Sequence, residues 1–157
     1  MKTATVKELR QELVQRSPKE LLDICLRLSR FKKENKELLT YLLFEIADEH
    51  TYIEGVKAYM DEAFAEINTA RFFYIKKSVR KILKEVKKFI RYSQKKETEV
   101  ELLIHFCYQL KSFRPSIDRN RVLKNLYTRQ LEFIHNRLPK LHEDLQYDYK
   151  IELEKLQ

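Results

Sequence analysis

Glycine and proline are scarce in this sequence, and their scarcity limits the fold class. The chain has one Gly and three Pro in 157 residues. A sheet of many strands needs tight turns, which are built on residues with positive or fixed φ. Long helices joined by short connections need neither residue. The composition therefore predicts an all-α protein.

Cysteine is also scarce, with only Cys25 and Cys107 in the chain. No CxxC pair or Cys/His cluster supplies the partners that a disulfide framework or a zinc site needs. Each cysteine follows two apolar residues by three or four positions, as Cys107 follows Leu103 and Ile104. We therefore expect both cysteines to be small apolar core residues.

Long apolar runs are missing as well. No stretch approaches the ~18 to 20 uninterrupted apolar residues that span a bilayer. Residues 1–14 carry charges throughout and lack the apolar region of a signal peptide. These features predict a cytoplasmic protein without a membrane span.

What the chain has in quantity is charge and bulky apolar side chains. Charged residues make up 36% of the sequence and apolar residues 43%, including nine Phe and nine Tyr. This balance is typical of a folded protein with a highly solvated surface, because disordered chains are short of large apolar residues. The length suits a single helical domain over residues 1–157.

Several helix starts are marked by Ser or Thr with Glu three residues later, a capping box that satisfies free N–H groups. It occurs at residues 5–8, at 17–20, where Pro18 adds a favourable first position, and at 51–54. With apolar periodicity, it predicts helices over 5–15, 17–30, 33–47, 51–67, 71–93, 97–112 and 116–137. Pro139 either starts an eighth helix or kinks one long final helix.

The predicted helix over 97–112 has apolar residues on nearly every side, which is typical of a helix at the centre of a fold. Connections of only about two to five residues favour antiparallel neighbours. We expect seven or eight antiparallel helices arranged as stacked helical hairpins, like a short HEAT-like α-solenoid. An irregular bundle is the alternative.

Candidate catalytic and metal-binding groups are few. The four histidines are His50, His105, His135 and His142, and Glu132 with His135 has the Glu-x-x-His spacing of di-iron bundles. Such sites need a second copy of that motif and two further carboxylates, which the pattern does not supply. A Gly-rich phosphate loop is also missing. We expect no enzyme, metal, cofactor or small-molecule substrate, unless a pocket brings His105 or His135 to two carboxylates.

Charge is concentrated in residues 71–96, where eleven Lys/Arg against the single acid Glu85 give a net +10. The whole chain has a net charge of +8, so the remainder sums to −2. Apolar residues of this basic helix follow the three-and-four spacing of a buried face. The candidate nucleic-acid-binding residues on the rest of the helix are Lys77, Arg80, Lys81, Lys84, Lys87, Lys88 and Arg91.

Three interpretations of the basic helix remain open. Residues 43–66 carry seven acids against one lysine, so an antiparallel neighbour there would balance the charge within the chain. Alternatively, the helix binds nucleic-acid phosphates with little sequence preference. A basic amphipathic helix also suits a membrane surface or a partner's groove, with the aromatic residues 72–74 as an anchor. Residues that extend the patch if they share its side are Arg114, Arg119, Arg121, Lys124 and Arg129.

The N-terminal part of the sequence carries TVKELRQEL at residues 5–13, SPKELL at 17–22 and KENKE at 33–37. With a looser correspondence through the basic helix and residues 99–113, this pattern resembles an uncharacterised family of small all-helical bacterial proteins, a domain of unknown function. The resemblance covers about two-thirds of the chain and ends near Ser116. It implies a helical-repeat-like fold and a bacterial source, and it brings no activity or site residues.

The sequence as a whole predicts a non-enzymatic helical protein-interaction module that binds a protein partner or another copy of itself. The alternative prediction is non-specific binding of nucleic acid, or another polyanion, through the basic helix 71–96.

Overall fold

A computed structural model describes residues 1–156, and Gln157 lies outside the described residues. The chain divides into two compact units, Met1–Phe44 and Glu45–Gln157, which are described separately below. Eight α-helices and no strand occur in residues 1–156, and the chain is 81% helical. The all-α prediction is confirmed, while the single domain over 1–157 stays a prediction.

The first unit contains helices α1 (Val6–Val14), α2 (Pro18–Phe31) and α3 (Lys33–Thr40). The capping boxes predicted at residues 5–8 and 17–20 are present, with Thr5 and Ser17 each accepting a hydrogen bond from the third residue of its helix. Lys32 is extended between α2 and α3, and the Asn35 side chain donates to the Leu28 carbonyl at 2.9 Å. No residue of α1, α2 or α3 is buried.

The second unit contains helices α4 (Glu49–Ala65), α5 (Phe72–Ser93), α6 (Lys96–Ser112), α7 (Arg121–Arg137) and α8 (Glu143–Glu154). Helix α6 packs against all four of the others, and eight of its side chains are buried. Its predicted central position is therefore confirmed. A helix with four helical neighbours favours the bundle over the stacked hairpins for this unit, because stacked repeats contact only their neighbours.

At four places, a turn or a capping residue moves a helix boundary away from its predicted position. Helix α3 ends at Thr40, and the backbone continues as one π-helical turn, Tyr41–Glu45. Helix α4 begins earlier than predicted because Asp48 caps it, accepting a hydrogen bond from the Thr51 N–H.

The other two boundary differences lie in the last third of the chain. Asn120 caps α7, and the Ser116 start gives only a 3-10 turn, Ile117–Arg119. Pro139 lies in a second 3-10 turn, Leu138–Lys140, and α8 begins separately after its N-cap His142.

Helices α4 and α5 run antiparallel, as the sequence predicts. The Tyr52 hydroxyl at the start of α4 donates to the Phe89 carbonyl near the end of α5 at 2.9 Å. Glu49 accepts hydrogen bonds from the hydroxyls of Ser93 and Thr98. Further along α4, Lys57 donates to Glu101 of α6 at 2.7 Å. These contacts join α4 to the end of α5 and to α6.

The core of the second unit depends on α6, which gives a direct test of the fold. Phe106 is fully buried, so Phe106→Ala should lower the free energy of unfolding by about 3 to 5 kcal/mol. Tyr108 lies two residues away on the same helix but is 56% exposed, and Tyr108→Ala should change stability by less than about 1 kcal/mol. Urea unfolding followed by circular dichroism measures both, and equal losses would contradict this packing of α6.

Candidate interaction surfaces

Helix α5 separates its apolar and basic residues onto opposite faces. Its buried face comprises Ile75, Val79, Ile82, Leu83, Val86 and Ile90. Six of the predicted site residues are exposed: Lys77, Arg80, Lys81, Lys84, Lys87 and Arg91. At 100° per residue, these six fall within an arc of about 120° on the helix surface. We call them the basic stripe.

Lys88, the seventh predicted site residue, is a correction to the sequence-based prediction. Its side chain is buried, its ammonium group lies 2.6 Å from a Glu85 carboxylate oxygen, and it sits 5.1 Å from the centre of the Phe89 ring. A buried cation paired with a carboxylate is not available to a ligand in water. The spacing of the charges grouped Lys88 with the exposed lysines. Spacing does not show which side of the helix is covered by neighbouring residues.

The acids of residues 43–66 make their ion pairs with residues other than those of the basic stripe. Glu49 reaches the basic segment, with Lys95 at 2.9 Å, but Lys95 lies beyond the end of α5. Glu54 pairs with Lys57 of its own helix, and Asp61 contacts His105 of α6 at 2.6 Å. Within residues 1–156, no side chain of the stripe forms an ion pair or hydrogen bond. In the described part of the chain, none of these six residues is therefore ion-paired with the acidic helix.

A groove of about 460 Å³ runs between α5 and α7 along one side of the stripe. It is lined by Arg80 and Lys87 of the stripe and by Asn125 and Arg129 of α7. Arg129 thus extends the basic surface, as the sequence analysis anticipated.

The other arginine and lysine candidates do not line this groove. Lys124 pairs with Asp118 at 3.1 Å, and Arg114 donates to the carbonyls of Ser112 and Phe113 beside it. Arg119 and Arg121 are exposed outside the groove lining. Of the five residues predicted to extend the patch, Arg129 is the one that lines this groove.

The first unit has apolar faces of a different kind. Val6, Leu9 and Leu13 recur at three- and four-residue spacing along α1 and are 76%, 51% and 41% exposed. On α2, Ile24, Leu28 and Phe31 recur likewise and are exposed, Phe31 by 76%. We call these two sets the apolar faces of α1 and α2. Apolar periodicity in the sequence marks such faces, but it predicts that they are buried in a core. For this reason the sequence did not indicate them as candidate binding sites.

A second groove, of about 640 Å³, is formed by α4, α6 and α8. It brings His105 together with Glu101, Asp148 and Glu152, the combination that would favour an enzyme. Two of these groups are already engaged, since His105 bonds to Asp61 and Glu101 bonds to Lys57 and to the Tyr149 hydroxyl.

Several side chains of this second groove are held by hydrogen bonds to one another and to Asp61. Burial, with the nearby Glu101 carboxylate, raises the pKa of Tyr149 well above its usual range, so its hydroxyl remains a hydrogen-bond donor. Among residues 1–156, no group of three His, Cys, Asp or Glu side chains is arranged to hold a metal ion. The groove therefore combines carboxylates with a histidine that is hydrogen-bonded to Asp61.

The two cysteines differ in their surroundings. Cys107 is buried in α6, as predicted, and burial raises the pKa of its thiol to about 12. Cys25 is exposed on α2, so its predicted core position is wrong. Cys25 does have the spacing of an apolar helix face, but α2, which contains it, has no buried residue.

Thiol titration with Ellman's reagent tests this difference. At pH 8, only about one in ten thousand Cys107 thiols is ionised when the pKa is near 12, and the side chain is also shielded. One thiol per native chain should react quickly, and the second should react only after unfolding in guanidinium chloride. The Cys25→Ser variant should lose the fast reaction, whereas a fast reaction in that variant would contradict the burial of Cys107.

No helix in the described part of the chain is long and apolar enough to cross a membrane. Comparison with models of protein families, with curated proteins and with solved structures finds no match to this chain. The family resemblance of the N-terminal two-thirds of the chain therefore stays a prediction.

Proposed function

We propose that this chain is a non-enzymatic protein-interaction module whose first unit binds an acidic amphipathic helix of a partner protein. One observation carries the proposal. Helices α1, α2 and α3 bury none of their residues, although α1 and α2 have regular apolar faces. Large exposed apolar patches on a helical unit are typical of interaction sites.

Binding a partner helix would lower the free energy of these exposed apolar faces by removing them from water. Helix α1 has nine residues, fewer than the ~12 to 15 at which an isolated helix is even marginal in water. Burying a Leu, Val or Phe side chain contributes about 1.5 to 3 kcal/mol. A helix laid along the apolar face of α2 removes Leu28 and Phe31 from water and adds packing that stabilises α2 in return. This is the helix-in-groove mode of recognition, anchored at three- and four-residue spacing.

The net charge of the chain indicates what kind of partner helix would bind to these apolar faces. Residues 1–44 carry ten Lys/Arg and six Asp/Glu, a net of +4, and the whole chain carries +8. Two copies of the chain therefore repel each other at long range, whereas an acidic partner is attracted. The apolar face of such a partner would contact the apolar faces of α1 and α2, and its acids would lie near the surrounding basic residues.

A pair of designed peptides tests this proposal. Each is an amphipathic helix of about five turns with Leu on one face, and the polar face is Glu in one peptide and Lys in the other. The Glu peptide should bind the full chain at least tenfold more tightly than the Lys peptide, because charge selects between equal apolar faces. Isothermal titration calorimetry measures the affinities, and hydrogen exchange should show new protection in α1 and α2.

The double variant Leu28→Ser/Phe31→Ser should bind the Glu peptide at least tenfold more weakly, since it removes two exposed anchors. Tyr108→Ser/Tyr147→Ser is the matched control, because these side chains are 56% and 68% exposed on other helices and should be neutral. Equal binding of the two peptides, or unaltered binding by the double variant, contradicts the proposal. A dimer in light scattering that the double variant abolishes would identify a second copy as the occupant instead.

A further inference from the structure

The basic stripe of α5 continues into two exposed aromatic rings. Phe73 lies four residues before Lys77, on the same side of the helix, and is 65% exposed. Tyr74 beside it is 40% exposed, and the two rings meet edge to face with their centres 5.5 Å apart. One surface therefore combines six cations without internal partners and an open aromatic face.

We propose that this surface binds single-stranded nucleic acid, with phosphates along the basic stripe and one base stacked on Phe73. This proposal concerns the second unit only and does not depend on the apolar faces of α1 and α2. Residues 77–91 extend over about 21 Å at 1.5 Å per residue. Single-strand binding sites typically combine a positive track for the backbone with aromatic side chains for the bases.

In the free protein, repulsion between the cations of the basic stripe destabilises α5. Lys77 and Lys81 stand four residues apart, as do Arg80 and Lys84, and like charges at this spacing destabilise a helix by a few tenths of a kcal/mol per pair. The apolar face of α5 offsets this cost by its burial in the core. Phosphates bound along the stripe would remove the repulsion, and Arg129 across the groove adds a cation to the same surface.

The geometry favours nucleic acid over a membrane for this helix. A helix that lies on a bilayer inserts its apolar face into the lipid, but Ile75, Val79 and Val86 are buried within the second unit. Only Phe73 and Tyr74 remain as apolar contacts outside the core. Since contacts to phosphates carry no sequence information, we expect weak dependence on sequence.

Binding is measured by fluorescence anisotropy with labelled mixed-sequence RNA and DNA, single-stranded and duplex, over a series of salt concentrations. Six phosphate contacts predict a slope of log affinity against log salt of about −4 for single strands. Single strands should bind more tightly than duplexes of the same length, and RNA and DNA arms show whether the 2′-hydroxyl contributes. The single-stranded oligonucleotide should also raise the Tm at low salt.

The charge variant is Lys77→Gln/Lys81→Gln/Lys84→Gln/Arg91→Gln. It should reduce the magnitude of the salt slope by about 3, because each lost contact removes about 0.7. The matched control, with the same change in net charge, is Lys7→Gln/Lys19→Gln/Lys36→Gln/Lys150→Gln, four exposed lysines off the stripe. The stripe variant relieves repulsion within α5, so its Tm should equal or exceed that of the parent protein, which separates lost binding from misfolding.

Phe73→Ala should weaken single-strand binding about fivefold or more and leave duplex binding unchanged, since only an unpaired base stacks on the ring. Tyr147→Ala, which removes an exposed aromatic ring on α8, is the control.

Failure of every oligonucleotide to bind at low salt overturns the proposal. So does equal loss of affinity in the stripe variant and its control. Duplex binding as tight as single-strand binding, with no effect of Phe73→Ala, rules out the single-stranded ligand. Binding to anionic vesicles without oligonucleotide binding assigns the surface to a membrane.

Discussion

The packing of α5 against the central helix α6 is the constraint on which the second unit depends. Helix α6 is buried on nearly all sides, and α5 contributes an uninterrupted apolar face to the same core. Since the apolar face of α5 is buried in this core, six of its basic residues point away from the core, and Lys88 is buried beside Glu85. The exposed cation stripe is therefore a direct consequence of core packing. Glu49 secures the arrangement by joining the start of α4 to Ser93, Lys95 and Thr98.

The two units differ in how many of their apolar side chains are buried. Residues of the second unit lie in a core with many fully buried side chains, among them Met60, Leu102 and Phe106. In the first unit, Tyr41 is the buried residue, and the helices before it leave Leu28 and Phe31 in water. The first unit therefore has apolar surface to offer a partner and the second unit has charge. The two proposals rest on these separate properties and do not depend on each other.

Local sequence signals predicted helices well where the determining interactions are themselves local. The boxes at Thr5 and Ser17 form as expected because donor and acceptor lie three residues apart. Prediction was weaker at helix starts with competing caps. Asp48 caps α4 instead of Thr51, and Asn120 caps α7 instead of Ser116, because each accepts a hydrogen bond from an N–H in the first turn of its helix. Cys25 shows a further limit, since apolar spacing marks a face without showing whether anything covers it.

The sequence by itself determined the all-α class, most helix positions, the central place of α6 and the identity of the basic helix. These follow from composition, capping and periodicity, which act over a few residues. Only the tertiary structure decided which cations are exposed. It buried Lys88 against Glu85, joined Asp61 to His105 and brought Arg129 to the edge of the stripe. These outcomes depend on contacts between residues up to about 50 positions apart, and charge counted along a chain contains no information about such distances.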